Sequence, residues 1–449
     1  MKDQALLQQP FDWRQCRTSL AAAEDCDEEL QRFDRAISDE RLLHRMTNAG
    51  FTAAHNIFGN AATTVCNGLF GRGLLPVVWT NILRFIYGKN GKIVHEQRPY
   101  NTEYSLHLLD EATTPSHCHF VRNNGLEPER ARKKDLQNWH LLIHGEVHNR
   151  LQLTYEDLQK FPLVTRDFVI ECAGNGRSNF IPEIEETSWL SGAVACSTWT
   201  GVRLRDVLAK AELKDTAVYT GHFGEDPPHG KHEPFSRGIP IEKALDENTI
   251  IAFKMNGQPL PAEHGFPVRL IVPGWIGSSM QKWLNRIWIR DKVHDSEKMS
   301  GYSYRLPAYP LAAGSKPPAS DMIIATSLKI KSMITRPQAL QEFKIAAKIT
   351  VHGHAWAGES RVERVMISTD FGQHWQPARL MNARNRFAWH NWKREISFFR
   401  AGYYEIWSRA FDSQGLAQPF KQPWNPKGYL GNMIHRTPVI VSASFGGFR

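Results

Sequence analysis

The stretch Phe168-Val-Ile-Glu-Cys-Ala-Gly-Asn-Gly-Arg-Ser178 sets one cysteine at the end of a short apolar run, with turn-forming residues directly after it. A strand that stops at a Gly/Asn-rich turn presents its last side chain at the sheet edge, where chemistry can reach it. With Arg177 five positions on, Cys172 is expected as a thiolate, the form that binds metals or attacks electrophiles. A structural strand-end cysteine is the other reading of this segment alone. A second patterned stretch runs Lys254-Met-Asn-Gly-Gln-Pro-Leu-Pro-Ala-Glu-His-Gly-Phe-Pro-Val-Arg-Leu-Ile-Val-Pro-Gly-Trp-Ile-Gly-Ser-Ser-Met-Gln-Lys-Trp-Leu284.

The elements that must position these residues are short. From about 95 to 315 the pattern mixes strands and helices. Leu204, Val207, Leu208 and Ala211 recur at helical spacing and predict one amphipathic helix. Strands are predicted at 140–144, 168–171 and 268–272, and the runs 224–230 and 307–318 read as loops. No period of 20 to 50 residues repeats. Past about 322 the pattern is all-β. Leu328 and Ile330 alternate with lysines, Ile349 and Val351 with Thr350 and His352, and Tyr404, Ile406 and Ser408 with Glu405, Trp407 and Arg409. The turn Ser368-Thr-Asp-Phe-Gly372 separates two such runs. About seven short strands at this spacing predict an immunoglobulin-like sandwich. The fold class is therefore α+β: a mixed α/β domain over 93–320, then an all-β sandwich over 321–449, with an extension of unassigned role over 1–92.

The 449 residues suffice for two or three domains. Hydrophobic content of 41% and charged content of 22% are those of an ordinary soluble globular protein. The net charge of +9 is spread along the chain. There is no Lys/Arg-rich block, zinc-finger or RNA-binding pattern, so nucleic acid is not an expected partner. A positive field does favour a small dianion. The six cysteines, Cys16, Cys26, Cys66, Cys118, Cys172 and Cys196, form no CxxC pair. His117-Cys118-His119 invites a metal reading, but neighbours on an extended chain point to opposite faces, so Cys118 is read as structural.

Residues 22–45 read as an exposed charged helix, and 46–71 carry no Asp, Glu, Lys or Arg, although His55 and several asparagines make them too polar for a membrane span. The layout around Asp39–Arg45 is that of a twin-arginine export signal without the arginine pair, since Glu40 precedes Arg41. No CxxCH and no HPGG stretch is present, so no heme is expected in this chain.

Together the two patterned stretches resemble the sulfite oxidase family of molybdenum enzymes, whose patterns include CAGN-x-RS and MNG-x-PLP-x-x-HG-x-PVR followed by VPG and a KW-L segment. Phe120-Val-Arg-Asn-Asn-Gly125, Trp189-Leu-Ser-Gly-Ala-Val and Trp199-Thr-Gly-Val-Arg-Leu-Arg-Asp-Val-Leu208 add to the resemblance, which covers roughly residues 95 to 449. The resemblance implies a molybdenum–molybdopterin cofactor with Cys172 as the protein's metal ligand. A thiolate suits such a site because soft sulfur donors stabilise a metal that changes oxidation state. It further implies oxidation of sulfite to sulfate by oxo transfer, with electrons passed to an external acceptor such as a cytochrome c. The sandwich would then serve as a homodimer interface. A periplasmic location is implied by resemblance, and a cytoplasmic one by the lack of an intact export signal.

By the same resemblance, Arg122 and Arg177 are active-site arginines that hold the small anionic sulfur substrate. Phe120, Val121, Arg122, Asn123 and Asn124 contact the cofactor, with Asn124 standing where many relatives have a histidine. His264, Arg269, Met280, Gln281 and Lys282 grip the pterin and its phosphate. An acidic pterin contact falls at Glu225 or Asp226, with Asp226 carried forward. The active-site tyrosine is Tyr302 or Tyr304, with Tyr302 favoured by spacing. In Trp424-Asn-Pro-Lys-Gly428, Lys427 stands where relatives place a substrate-reaching arginine. It keeps the charge but loses the planar fork. A different sulfur substrate, sulfane sulfur or a sulfoxide, is therefore the alternative, and a cofactor-free interaction protein a further one.

Overall fold

Short alternating runs give short strands. In a computed structural model, which describes residues 91–228 and 233–443, they pair into six sheets. Helix is sparse among the described residues, with four α-helices of four to eight residues, so the first half carries less helix than expected. The predicted amphipathic helix is present as Leu204–Ala211, and its four apolar positions are fully buried. Each such Leu or Val contributes roughly 1.5–3 kcal/mol. The expectations for residues 1–90, including the charged helix and the uncharged run, lie outside the described residues, as do 229–230 of the loop at 224–230.

Two five-stranded sheets carry the first half. In one, Leu163–Glu171 pairs antiparallel with Val194–Arg203, which pairs with Ile250–Met255, which in turn pairs with Gln258–Pro259 and Arg269–Ile271. The other runs Leu151–Leu153, Leu141–Gly145, Leu284–Arg290, Tyr219–Gly224, Ser236–Pro240. Its single parallel pair, Leu141–Gly145 with Leu284–Arg290, is joined by the long excursion through the first sheet. The two sheets share one core that includes Phe168, Trp199, Leu270, Ile143 and Ile287. Leu163–Glu171 starts with exposed and buried residues mixed and ends in five successive buried residues, because its far end runs under the rest of the molecule. Cys172 lies at that buried end.

The second half is built from two facing sheets. One contains Lys331–Arg336, Ile349–Trp356, His390–Ile396 and Arg379–Leu380. The other contains Gln341–Lys344, His435–Ser442, Gly402–Asp412, Val362–Ser368 and Gln376–Pro377. Ile334, Val351 and Trp392 from the first meet Val365, Ile406 and Val439 from the second in a separate core.

The halves meet beside Cys172. The Glu171 carboxylate accepts from Asn175 Nδ2 at 2.9 Å and from Trp356 Nε1 at 2.8 Å, and it pairs with Lys331. Two of these three partners belong to the second half. A buried carboxylate is retained where each lone pair is met this way.

Candidate active site

The end of Leu163–Glu171, the extended segment 119–125, the turn at 261–265 and the loop 277–283 converge on one cleft. Its walls include Phe120, Arg122, Asn123, Asn124, Cys172, Asp226, His264, Arg269, Met280, Gln281 and Lys282, so eleven of the positions singled out from sequence meet here. It also includes Tyr304, the less favoured of the two candidate tyrosines, and residues that the reading assigned no role in the site: His119, Phe235, Ser278 and Trp283. For His119 a signal existed, because it ends the metal-like His-Cys-His run and directly precedes the Phe120 segment.

Cys172 is 8% exposed. Burial pushes its thiol up, while Arg122 and Arg177 pull it the other way. Burial is the larger effect, so the expectation of a standing thiolate is corrected: in the ligand-free protein Cys172 is a thiol, and metal ligation must displace its proton.

Arg122 is fixed by its neighbours. Its Nη2 donates to Asn124 Oδ1 at 3.1 Å, and Nη1 bonds the Asn123 carbonyl. Asn124 in turn lies 3.3 Å from the Tyr304 hydroxyl, so the asparagine that replaces the family's histidine links the arginine to a phenol. Tyr304 is buried, stacks on Tyr429 at 5.2 Å and meets Phe235 edge-on at 6.1 Å.

Four expectations are corrected by geometry. Tyr302 does not line the cleft, because its hydroxyl donates to the Pro317 carbonyl at 2.5 Å in the loop beyond. Tyr304, which has a left-handed φ of 50°, turns into the cleft instead. Val121 is buried, but its backbone bridges to Thr102 and its side chain faces away from the cleft, as alternation after Phe120 requires. The Arg177 guanidinium is spent on backbone: Nε donates to Lys427 O at 3.0 Å and Nη1 to Thr187 O at 2.7 Å, with its carbon 5.5 Å from the Tyr429 ring centroid. Two glycines make room for it, since a Cβ at Gly174 would sit 2.5 Å from Arg177 Nη2 and one at Gly428 2.7 Å from its Cγ. Finally, the Lys427 ammonium pairs with Glu186 outside the cleft.

Asp226 rather than Glu225 is the acidic residue of the cleft. Glu225 pairs with Arg130 at 3.1 Å, while Asp226 Oδ2 accepts from Phe235 N at 2.9 Å and Oδ1 has no partner. His119 Nδ1 donates to Phe120 O at 2.9 Å. Burial holds that ring neutral, its pKa pushed down to about 3, so Nε2 is a bare acceptor without a partner. Gln281 Oε1, Arg269 Nε and Ser278 Oγ are buried and unpartnered as well. Burial also lowers Arg269 to about 9 and Lys282 to about 7, the latter with the Arg269 charge as a second cause.

Unpartnered buried polar atoms are rare, and five of them around one cleft ask for a ligand with its own donors and acceptors. A pterin edge offers both, and its phosphate would meet Lys282 and Arg269. The soft donor the metal needs is Cys172. The residues present therefore fit a molybdenum–pterin cofactor.

Comparison with known proteins agrees. The oxidoreductase molybdopterin-binding domain family matches residues 129–298, and the Mo-co oxidoreductase dimerisation domain family matches residues 322–442. The chain is 33% identical to human mitochondrial sulfite oxidase over 371 residues, 78% of this chain and 66% of that protein. It is 32% identical to barley NAD(P)H nitrate reductase over 375 residues, which are 77% of this chain and 41% of that one. Among solved structures, the sulfane dehydrogenase SoxCD of Paracoccus pantotrophus superposes with a TM-score of 0.65 at 27% identity, covering 76% of this chain and 84% of that one. The chain belongs to the sulfite oxidase family of molybdopterin-dependent oxidoreductases. It spans just under two thirds of the length of the animal sulfite oxidases it matches.

The geometry separates the two candidate tyrosines. Tyr304→Phe should slow turnover by roughly 10–100-fold through loss of one hydrogen bond at the reacting centre. Tyr302→Phe should leave steady-state kinetics unchanged. Equal effects, or the reverse order, would put the active tyrosine at 302.

Proposed function

We propose that this protein oxidises sulfite to sulfate and passes the electrons to an external one-electron acceptor such as a cytochrome c. The reaction consumes one sulfite and one water and yields one sulfate, two protons and two electrons. The observation that carries this reading is the meeting of Cys172, Arg122 and Tyr304 in one cleft with the unpartnered atoms of His119, Asp226, Arg269 and Gln281.

When bound, the molybdenum–pterin group supplies the two-electron oxygen-atom chemistry. The chain's own residues bind and orient. Asp226, Gln281 and His119 would accept from the pterin edge, and Arg269 and Lys282 would take the phosphate. Cys172 would be the soft sulfur donor to the metal, after loss of its proton. Arg122, held in place by Asn124, offers charge-assisted donors to the sulfite oxygens. Tyr304 offers its hydroxyl at the same end. The buried walls keep bulk water from competing for those donors.

A second reading, oxidation of sulfane sulfur, draws support from the likeness to SoxCD and from Lys427, which turns out to Glu186 rather than toward an anion. The second half carries the immunoglobulin-like sandwich of the family. Through the match to the dimerisation family, and with Phe399 76% and Leu416 60% exposed on it, it pairs two chains. The test is direct. Molybdenum-loaded protein is offered sulfite, a sulfane donor and a sulfoxide, each with a panel of one-electron acceptors. Sulfite-dependent acceptor reduction with sulfate formed in step supports the reading. Reduction with the sulfane donor alone overturns it in favour of the second.

A further inference from the structure

Arg237 lies in the strand Ser236–Pro240, paired opposite His222 in the neighbouring strand. It is 1% exposed. Its Nε and Nη1 find no acceptor, and no carboxylate pairs with it among the described residues. Burying a guanidinium without a counter-charge is costly, and such groups are retained where something outside the chain meets them. Its surroundings are aromatic: the guanidinium carbon stands 4.8 Å from the centroid of Tyr304. Phe235, two positions back along the same extended backbone, shares its face and lines the cleft, as Tyr304 does. Arg237 is thus a positive group packed behind Tyr304 at that end of the cleft, without itself being one of the lining residues.

The other cations near that end are committed. Arg177 donates to the Thr187 and Lys427 carbonyls, and the Lys427 ammonium pairs with Glu186. The resemblance places a substrate-reaching arginine at Lys427. Here that charge is withdrawn, and a guanidinium with no carboxylate partner among the described residues lies on a different strand, against the Tyr304 ring.

We propose that Arg237 is a substrate-binding residue that holds an oxygen of the sulfur oxyanion at the tyrosine end of the cleft, in concert with Arg122. Its planar fork suits two oxygens of a pyramidal or tetrahedral anion. The Tyr304 ring packs against Arg237, Phe235 and Tyr429 and lies between the fork and the rest of the cleft lining. This assignment rests on the sulfur-oxyanion reading above for its substrate, and on the unpartnered guanidinium for its chemistry.

The experiment uses the full, molybdenum-loaded chain with Arg237→Met and Arg237→Lys. Sulfate binding is measured by calorimetry at constant ionic strength in chloride, and sulfite kinetics are measured alongside. Arg237→Met should weaken sulfate binding by roughly 10–100-fold, the loss expected for a charge-assisted hydrogen bond, and raise the KM for sulfite with little change in kcat. Arg237→Lys should recover part of both. Unchanged sulfate affinity in Arg237→Met, with kcat lowered instead, overturns the proposal and leaves Arg237 as a brace for the Tyr304 ring. If Arg237→Met does not fold, Arg237→Lys alone decides: weaker sulfate binding supports the fork, and wild-type binding overturns it. Because sulfate binding needs no turnover, a failure of sulfite as substrate with sulfate binding still dependent on Arg237 would fault the reaction and not the site.

Discussion

Cys172→Ser is expected to lower turnover of the molybdenum-loaded protein below about 1% of wild type while the thermal midpoint moves by only a few degrees. Loss of even an outer partner of a metal ligand costs roughly 10–100-fold, and here the ligand itself changes from soft sulfur to a hard hydroxyl. The fold should survive because serine is nearly the same shape and the loop is held by other bonds, among them Cys172 N to Ala193 O at 3.0 Å. A second measurement reads the thiol itself. In cofactor-free protein, burial holds Cys172 above its ordinary range, so alkylation should keep accelerating as pH rises past about 8.5. Bound cofactor should abolish that alkylation. Wild-type turnover in the serine variant would remove Cys172 from the proposed role, and fast alkylation at neutral pH would restore the thiolate in the cofactor-free protein.

The two arginines of the conserved-looking motifs should fail in different ways. Arg122→Gln should lower kcat/KM for sulfite by about ten- to over a hundredfold, with the thermal midpoint nearly unchanged. Arg177→Gln should act first on stability. It removes donors from the half-buried Thr187 and Lys427 carbonyls, a loss of several kcal/mol, and should lower the midpoint by on the order of 10 °C. Scanning calorimetry with steady-state kinetics on both variants checks the contrast. A stable Arg177→Gln protein with a raised KM alone would mean that its guanidinium faces substrate after all.

What could be read from the chain depended on how local its cause was. The helix Leu204–Ala211 and the run into Cys172 follow from nearby periodicity, and both are present. Motif residues from Phe120 to Lys282 meet in one cleft because each sits at an element's end. Tyr304 was misjudged against Tyr302 because spacing cannot show a left-handed backbone three residues after a glycine. Alternation after Phe120 could have ruled out Val121. Arg177 and Lys427 depend on partners 250 and 241 positions away, and no local pattern encodes those. The thiol state of Cys172 turned on burial outweighing two charges, a balance set by packing. Arg237 belongs to no motif and is distinguished only by what fails to touch it.

The carboxylate beside the cysteine has a consequence for modularity. Glu171 draws Lys331 and the Trp356 indole from the second half, so the two halves cannot be traded independently. A chimaera that kept residues up to about 320 and took its sandwich from elsewhere would leave a buried negative charge next to Cys172, at about 3–5 kcal/mol for the lost pair. Any graft must therefore carry a cation and an indole at those two places. Recombination between relatives is confined to partners that already agree there, and the second half is a structural component of the cofactor site as well as a surface for pairing.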